Sequence, residues 1–224
     1  MRIFAIGDLH LPGGSENKSM DIFGELWESH FDKIKSDWIE RVSQEDVVLI
    51  PGDISWAMFF EDALHDIDAI CALPGSKILL KGNHDFWWNS ITRLRQILHG
   101  QTYALQNDAL IFGGVAFAGS RGWEKMGEDG KIQRREIIRM ELSLKAASAK
   151  SPERIVAMTH YPPFDENGGE SAMTRLFQEY GVSDAVYGHL HGEGAKNAIV
   201  GERGGVRYHL AACDYLGFKL LQLP

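Results

Sequence analysis

No apolar run in this sequence reaches the roughly 18–20 residues that a membrane-spanning helix needs. The amino terminus, MRIFAIGD, meets an aspartate after a short apolar stretch. It has neither the longer apolar region nor the cleavage site of a secretory signal. Cysteine is scarce: Cys71 and Cys213 allow at most one disulfide and exclude a disulfide framework. No repeat, low-complexity tract or Pro/Ser-rich linker interrupts the chain. Basic residues are outnumbered, 23 Lys and Arg against 31 Asp and Glu, for a formal net charge of −8. That balance disfavours binding to a nucleic-acid backbone, which wants clustered cations. The 224 residues fit one domain, 1–224, and a cytoplasmic location is the default. A small anionic substrate stays open if a metal supplies the positive charge.

Five short apolar runs read as buried strands: Arg2–Ile6, Asp46–Ile50, Lys77–Leu80, Arg154–Met158 and Asp184–Tyr187. Helical patterns lie between several of them. In 21–43, Phe23, Trp27, Phe31, Ile34 and Trp38 recur at three to four residues. Further helices are expected over 61–73, 89–99, 132–149 and 171–180, the last closed by Gly181. Strands alternating with helices predict an α/β core. Residues 109–119 read as a hairpin around Gly113-Gly114, and 205–223 is strand-rich, so the second half is expected to add antiparallel strands.

The residues just past each run carry the chemistry. The first run ends in Gly7-Asp8-Leu9-His10 and the second in Pro51-Gly52-Asp53. The third ends in Lys81-Gly82-Asn83-His84-Asp85, the fourth in Thr159-His160-Tyr161, and the fifth in Gly188-His189-Leu190-His191. Ligands of α/β folds gather outside the carboxyl ends of strands, and here every exit offers Asp, Asn or His. If the local chain is extended, Asp8 and His10 point to one face, as do His189 and His191, and each pair holds a metal from one side. Imidazole and carboxylate donors suit Mn, Fe, Zn or Ni. Asp8, His10, Asp53, Asn83, His160, His189 and His191 are too many for one tetrahedral ion and suit two ions sharing a carboxylate. His30, His65 and His99 fall in or beside helical patterns and are expected to be half-exposed structural residues. His209, in a late strand pattern, is a further candidate for lining the site.

The ordered blocks Asp-x-His, Gly-Asp, Gly-Asn-His-Asp, a lone His and Gly-His-x-His resemble those of the calcineurin-like metallophosphoesterases, and they span Asp8 to His191. The resemblance implies a four-layer α/β/β/α sandwich of two mixed sheets flanked by helices. It implies that Asp8, His10, Asp53 and His191 hold one divalent metal and Asp53, Asn83, His160 and His189 a second, with Asp53 bridging. His84 is then not a ligand. It faces the substrate as general acid or as donor to the phosphoryl group, while Asp85 orders the turn. Many members carry Gly-Asp-x-x-Asp at the second block, where the last Asp buttresses the catalytic His. Here Gly52-Asp53-Ile54-Ser55-Trp56 places Trp56 there, so His84 is expected to lack that carboxylate.

The implied activity is hydrolysis of a phosphate ester by a metal-bridging hydroxide, with two divalent cations such as manganese. Trp56, Phe59, Phe60, Phe86, Trp87, Trp88, Trp123 and Tyr161 lie near the strand exits, where aromatic rings stack on a base or aryl group or simply pack. They tilt the reading toward a small phosphodiester or nucleotide derivative. A phosphomonoesterase or phosphoprotein phosphatase is the alternative, and a non-catalytic scaffold of the same fold a more distant one. Arg121, in a Gly-rich turn after the hairpin, is a candidate phosphate clamp. The polar loop 11–20 is a candidate flap over the site. No membrane partner is expected.

Overall fold

Each of the five apolar runs forms a strand. β1 is Ile3–Ala5, β2 Val47–Ile50, β3 Ser76–Leu79, β7 Arg154–Met158 and β8 Val182–Tyr187. Between and after them come β4 Thr102–Ala104, β5 Ala109–Phe112, β6 Val115–Gly119, β9 Gly201–Arg203, β10 Val206–Leu210 and β11 Leu221–Gln222. The computed structural model describes residues 1–14, 20–124 and 130–224. Of the expected flap, 15–19 lie outside the described residues.

The strands form two mixed sheets, ordered β11-β1-β2-β3-β4 and β5-β6-β7-β8-β10-β9. The antiparallel strands expected of the second half occupy edges only: β5 on β6, β9 on β10 and β11 on β1. β6, β7, β8 and β10 run parallel to one another. The β5–β6 hairpin turns at Gly113 and Gly114, with φ of 51° and 80°, which a Cβ would disfavour.

Period-two alternation sorts the side chains into three cores. From the first sheet, Phe4, Ile6, Val48, Ile50 and Leu79 pack under α1 His30–Arg41, α2 Leu64–Cys71 and α3 Ile91–Ile97, meeting Ile34, Trp38, Ile67, Ile70 and Leu94. The alternate residues Ile3, Ala5, Val47, Leu49 and Ile78 meet Phe117, Val156, Met158 and Val186 of the second sheet. That sheet's other face, with Ala116, Ile155, Ala157 and Tyr187, packs under α4 Lys131–Ser148 and α5 Ala172–Glu179 through Met140, Leu144, Met173 and Phe177. The result is the four-layer α/β/β/α sandwich. Each large side chain so buried contributes about 1.5–3 kcal/mol.

The helix expected over 21–43 is broken. Met20–Phe23 and Glu25–Trp27 are 3-10 turns, and the α-helix starts only at His30, after Ser29 in the left-handed region at φ 48°. The break leaves Trp27 between the start of α1 and the strand exits, its ring 5.4 Å from that of His30 and 5.9 Å from that of His191.

Backbone bonds bind those exits together. Gly7 donates to Ala211 at 2.6 Å and accepts from Cys213 at 3.1 Å, which fastens the end of β1 to the end of β10 in the other sheet. Asp8 donates to Gly52 and His10 to Asp53, so the β1 and β2 exits run side by side. Gly188 donates to His160 in the same way across β7 and β8.

In the second sheet, fully buried Asp184 accepts from Arg154 at 2.6 Å and from His209 at 2.9 Å. Burial opposes its charge, but hydrogen bonds from His209, Ser183 and Arg154 outweigh it and hold the carboxyl below the usual range. A depressed native pKa stabilises the fold fully above the unfolded value near 4, and the contribution is lost as pH falls below it. Asp184→Ala is therefore expected to cost about 1–3 kcal/mol at pH 7. In urea unfolding the gap to wild type should narrow at pH 3.5; a gap that does not depend on pH would contradict the charged role.

Candidate metal centre

The first two strand exits reach the site through an uncommon backbone. Asp8, His10 and Asp53 sit at φ of 56°, 45° and 51°, and His189 of the fifth exit at 72°, all in the left-handed region that few non-glycine residues adopt. The exits are thus tight turns and not the extended segments expected, and side-chain parity does not carry past the strand. Asp8 and His10 still converge, but His189 and His191 separate.

Two groups result. Asp8, His10 and His191 form one, and Asp53, His160 and His189 the other, each with ligand atoms within 4.8 Å of one another. In the first, His10 Nε2 lies 3.3 Å from His191 Nε2, which lies 3.5 Å from Asp8 Oδ1. In the second, His160 Nε2 lies 3.5 Å from Asp53 Oδ2. The same Asp53 oxygen is 3.9 Å from His10 Nε2, so this carboxylate stands between the groups. Asn83 Oδ1 joins the second, 2.6 Å from His160 Nε2 and 2.9 Å from His189 Nδ1. All seven candidates come together.

The surrounding hydrogen bonds aim these side chains. His189 N–H donates to both Asp8 oxygens and His84 N–H to Asp53 Oδ1. His160 Nδ1 donates to Pro51 O at 3.0 Å, which turns Nε2 toward Asp53. Asp214 accepts from His191 Nδ1 at 2.8 Å and from Gly192 N–H, which turns His191 Nε2 toward Asp8. Cys213 Sγ donates to Asp8 O. Asp85 is fully buried and accepts from Ile54, Ser55 and Gly82 N–H and from Trp87 Nε1, so it ties the second and third exits together. His30, expected to be half-exposed, is buried and donates to Leu9 O at 2.8 Å between the two ligands of the first exit. His65 and His99 are on the surface. His209 bonds Asp184 and belongs to neither group. Sequence reasoning missed Asp214 and Trp27. The signal for Asp214 was available: it comes after β10 as Asp8 comes after β1, a sixth exit bearing a carboxylate.

Close approach depends on missing side chains. A Cβ on Gly82 would overlap Asp53, and one on Gly188 would overlap Asp8. The space given up is filled by carboxylate oxygens.

The electrostatics show what the cluster wants. Burial, then Asp85 and Asp8, push the Asp53 carboxyl up to about 9. Burial drives His10 down to about 3 and His160 to about 4. Burial also opposes a charge on His191, but Asp214 and Asp8 prevail and raise it to about 10. With its proton on Nδ1 facing Pro51, neutral His160 aims a lone pair at the Asp53 carboxylate. His10 Nδ1 is buried and has no hydrogen-bond partner among the described residues. Converging lone pairs with too few protons are what divalent cations satisfy, and oxygen and imidazole donors fit borderline metals. The residues present fit the metals that the resemblance implies.

His84 is half-buried at the rim of a cavity of about 380 Å3 that His10, Asp53, His189, His191 and Asp214 also line. Burial, then His191, lower its pKa. Among the described residues no carboxylate bonds its ring. Trp56 packs there, 4.4 Å from the His84 ring and stacked at 4.8 Å on His10. Of the aromatics noted in the sequence, only Trp56 lines this cavity, joined by Trp27 and Met20. Phe60, Trp87, Trp88 and Tyr161 are core, and Phe59 and Phe86 are exposed. Arg121 is not in this cavity and lines another.

Two mixed sheets face to face, with carboxylate–histidine groups at their joined strand exits, define a class of α/β/β/α proteins built around a metal centre. The profile of the Calcineurin-like phosphoesterase family matches residues 1–193, and the chain belongs to that family. Membership implies a metal-dependent phosphohydrolase. No curated protein matches the chain. In structure it is similar to a protein of unknown function from Aquifex aeolicus, at 14% identity and TM-score 0.53, covering 99% of this chain and 95% of that one. That likeness concerns the fold. Two further structures match with lower TM-scores. A purple acid phosphatase from yellow lupin (Lupinus luteus) seeds has 18% identity and TM-score 0.46, over 85% of this chain and 38% of that one. A calcineurin-like phosphoesterase from Bacillus subtilis has 15% identity and TM-score 0.45, over 100% and 85%. Among the described residues, no helix is long and apolar enough to cross a membrane.

Asp214→Ala removes the carboxylate that orients His191 without removing a ligand. Such partners are worth about 10–100-fold in metal affinity. Competition with a chromogenic chelator should show that loss, and unchanged affinity would deny Asp214 the role.

Proposed function

We propose that this chain is a dinuclear metal-dependent phosphoesterase acting on a small phosphodiester or nucleotide derivative. Asp8, His10, Asp53 and His191 are assigned to one divalent ion, and Asp53, Asn83, His160 and His189 to the other. The observation that carries the reading is the Asp53 carboxylate, within 3.9 Å of a histidine nitrogen from each group. Mn, Fe, Zn or Ni suits the donors. When bound, two such ions supply Lewis acidity at the phosphoryl oxygens and a water acidified toward neutral pH.

The chain's own residues do the rest. Asp214 and Pro51 keep His191 and His160 in the tautomers that present Nε2 inward. His84 stands at the cavity rim, where its ring N–H donates to the phosphoryl group or the leaving oxygen. Trp56 holds that ring by packing where the resemblance places a carboxylate, so its orientation is fixed by van der Waals contact. Trp27, Trp56 and Met20 give the cavity an apolar wall, which favours an ester with an organic group on each side of the phosphorus. A cytoplasmic location accords with this reading.

The test combines elemental analysis with hydrolysis of bis-p-nitrophenyl phosphate and p-nitrophenyl phosphate by metal-stripped and Mn-reconstituted protein. About two ions per chain and Mn-dependent turnover, faster on the diester, are expected. Faster turnover of the monoester would select the phosphomonoesterase alternative. No bound metal and no turnover after reconstitution would sink both and leave the scaffold. His84→Ala is expected to lower kcat about 10²–10⁴-fold with metal content unchanged; loss of the ions in that variant would refute its assignment as a non-ligand.

A further inference from the structure

A second cavity, of about 240 Å3, opens at the carboxyl ends of β3, β4 and β6 against α4. It shares no lining residue with the cavity of the metal centre. Lys81, Arg121, Arg135 and Arg139 line it, and among the described residues Glu136 is the one acidic member of its walls. Four cations against one anion is a local excess of three positive charges in a chain of net charge −8.

Glu136 does not neutralise the group. Its carboxylate is fully buried and already accepts from Ser120 Oγ at 2.8 Å, Arg139 at 2.8 Å and Arg135 at 3.4 Å. It works as a brace that sets Arg139. Lys81 Nζ donates to Trp88 O, a neutral acceptor, and makes no ion pair among the described residues. Among the described residues no carboxylate or hydrogen-bond acceptor meets the Arg121 guanidinium. Its side-chain contact is the Trp123 ring, 5.4 Å from Cζ. Like charges held together in a concave site, with one guanidinium left unmatched, are the signature of a bound anion, and Arg is the residue that grips tetrahedral oxyanions bidentately. The volume is several times the roughly 30 Å3 of a water molecule, so a phosphate group fits.

The cavity adjoins the proposed reaction site through the chain. Lys81 lies two residues before Asn83, and Arg121 O accepts from the backbone N–H groups of His160 and Tyr161. We propose that this cavity is a second anion site, which takes a phosphate group other than the one hydrolysed. The group comes either from the far end of the substrate or from free inorganic phosphate. Only the first source rests on the proposed function.

The test is calorimetric titration of the metal-loaded protein with inorganic phosphate, wild type against Arg121→Gln/Arg135→Gln. Wild type is expected to bind one phosphate per chain more than the variant. The same stoichiometry and affinity in both would overturn the proposal. Arg135→Glu alone, at an exposed side chain, serves if the double variant does not fold, and should weaken the second site at least tenfold. The readout is a difference, so it stands even if the metal centre binds no phosphate. The source is read with thymidine 5′-(p-nitrophenyl phosphate) and its 3′-phosphorylated counterpart. A KM at least tenfold lower for the 3′-phosphorylated ester, lost in the variant, assigns the site to the substrate's second phosphate. Equal KM values alongside the extra phosphate assign it to the free anion. Release of no p-nitrophenol from either ester would count against the proposed function and leave the calorimetric result intact.

Discussion

The arrangement at the strand exits depends on two buried carboxylates of like charge. Asp8 and Asp53 are 0% and 1% exposed, and Asp8 is among the groups that raise the pKa of Asp53. Buried without compensation, such a pair would cost several kcal/mol. The fold answers with the nearest donors available. Backbone N–H groups of His189 and His84 point at Asp8 and Asp53, and the left-handed turns at Asp8, His10, Asp53 and His189 bring these groups into register. Gly82 and Gly188 yield the room. The β1–β10 link through Gly7 holds the ends of these two strands, one from each sheet, close enough for His191 to reach Asp8. What these donors leave uncompensated is the space between the carboxylates, where imidazole lone pairs from both sheets converge. The strain in the turns and the lack of protons are therefore one feature seen twice: a backbone shaped to hold anions at a distance that a cation makes favourable.

Much of this is legible in the sequence because its signals are local. A buried parallel strand reads as a short apolar run, and an Asp or His directly after it lands at the carboxyl edge whatever the rest of the fold does. The five exits and their seven side chains come from that rule alone. The rule stops at the strand's last residue. It cannot see that His189 turns at φ 72°, so His189 and His191 fall in different groups, while Asp8 and His10 fall in one group through a backbone that is not extended. Nor does periodicity see a break. Trp27 fits the helical stripe of Phe23 to Trp38, but Ser29 in the left-handed region ends the pattern, and the ring joins the site. His30 reads as a half-exposed helix residue; its ring instead donates to a strand exit, a long-range contact that no local pattern encodes.

Trp56 shows how a departure from a family pattern is absorbed. A carboxylate beside a histidine favours the protonated ring and fixes its tautomer. An indole does neither, but it fixes position through area. Its ring stacks on His10 and meets His84 at a tilt of 52°, so one side chain packs against a candidate ligand and the candidate acid at once. Among the described residues no carboxylate supports the His84 ring, and the support that remains is geometric.

The charge distribution sets what kind of molecule reaches such a site. At physiological ionic strength fields are screened within about 8 Å, so the net charge of −8 repels anions only weakly at a distance and decides nothing inside the cleft. There the local sign rules. The carboxylate–histidine groups are neutral or negative until cations enter, while the cavity of Lys81 and Arg121 is positive without them. The two cavities lie at the ends of neighbouring strands and share no lining residue. Local charge, and not net charge, therefore decides which part of the strand exits favours an anion.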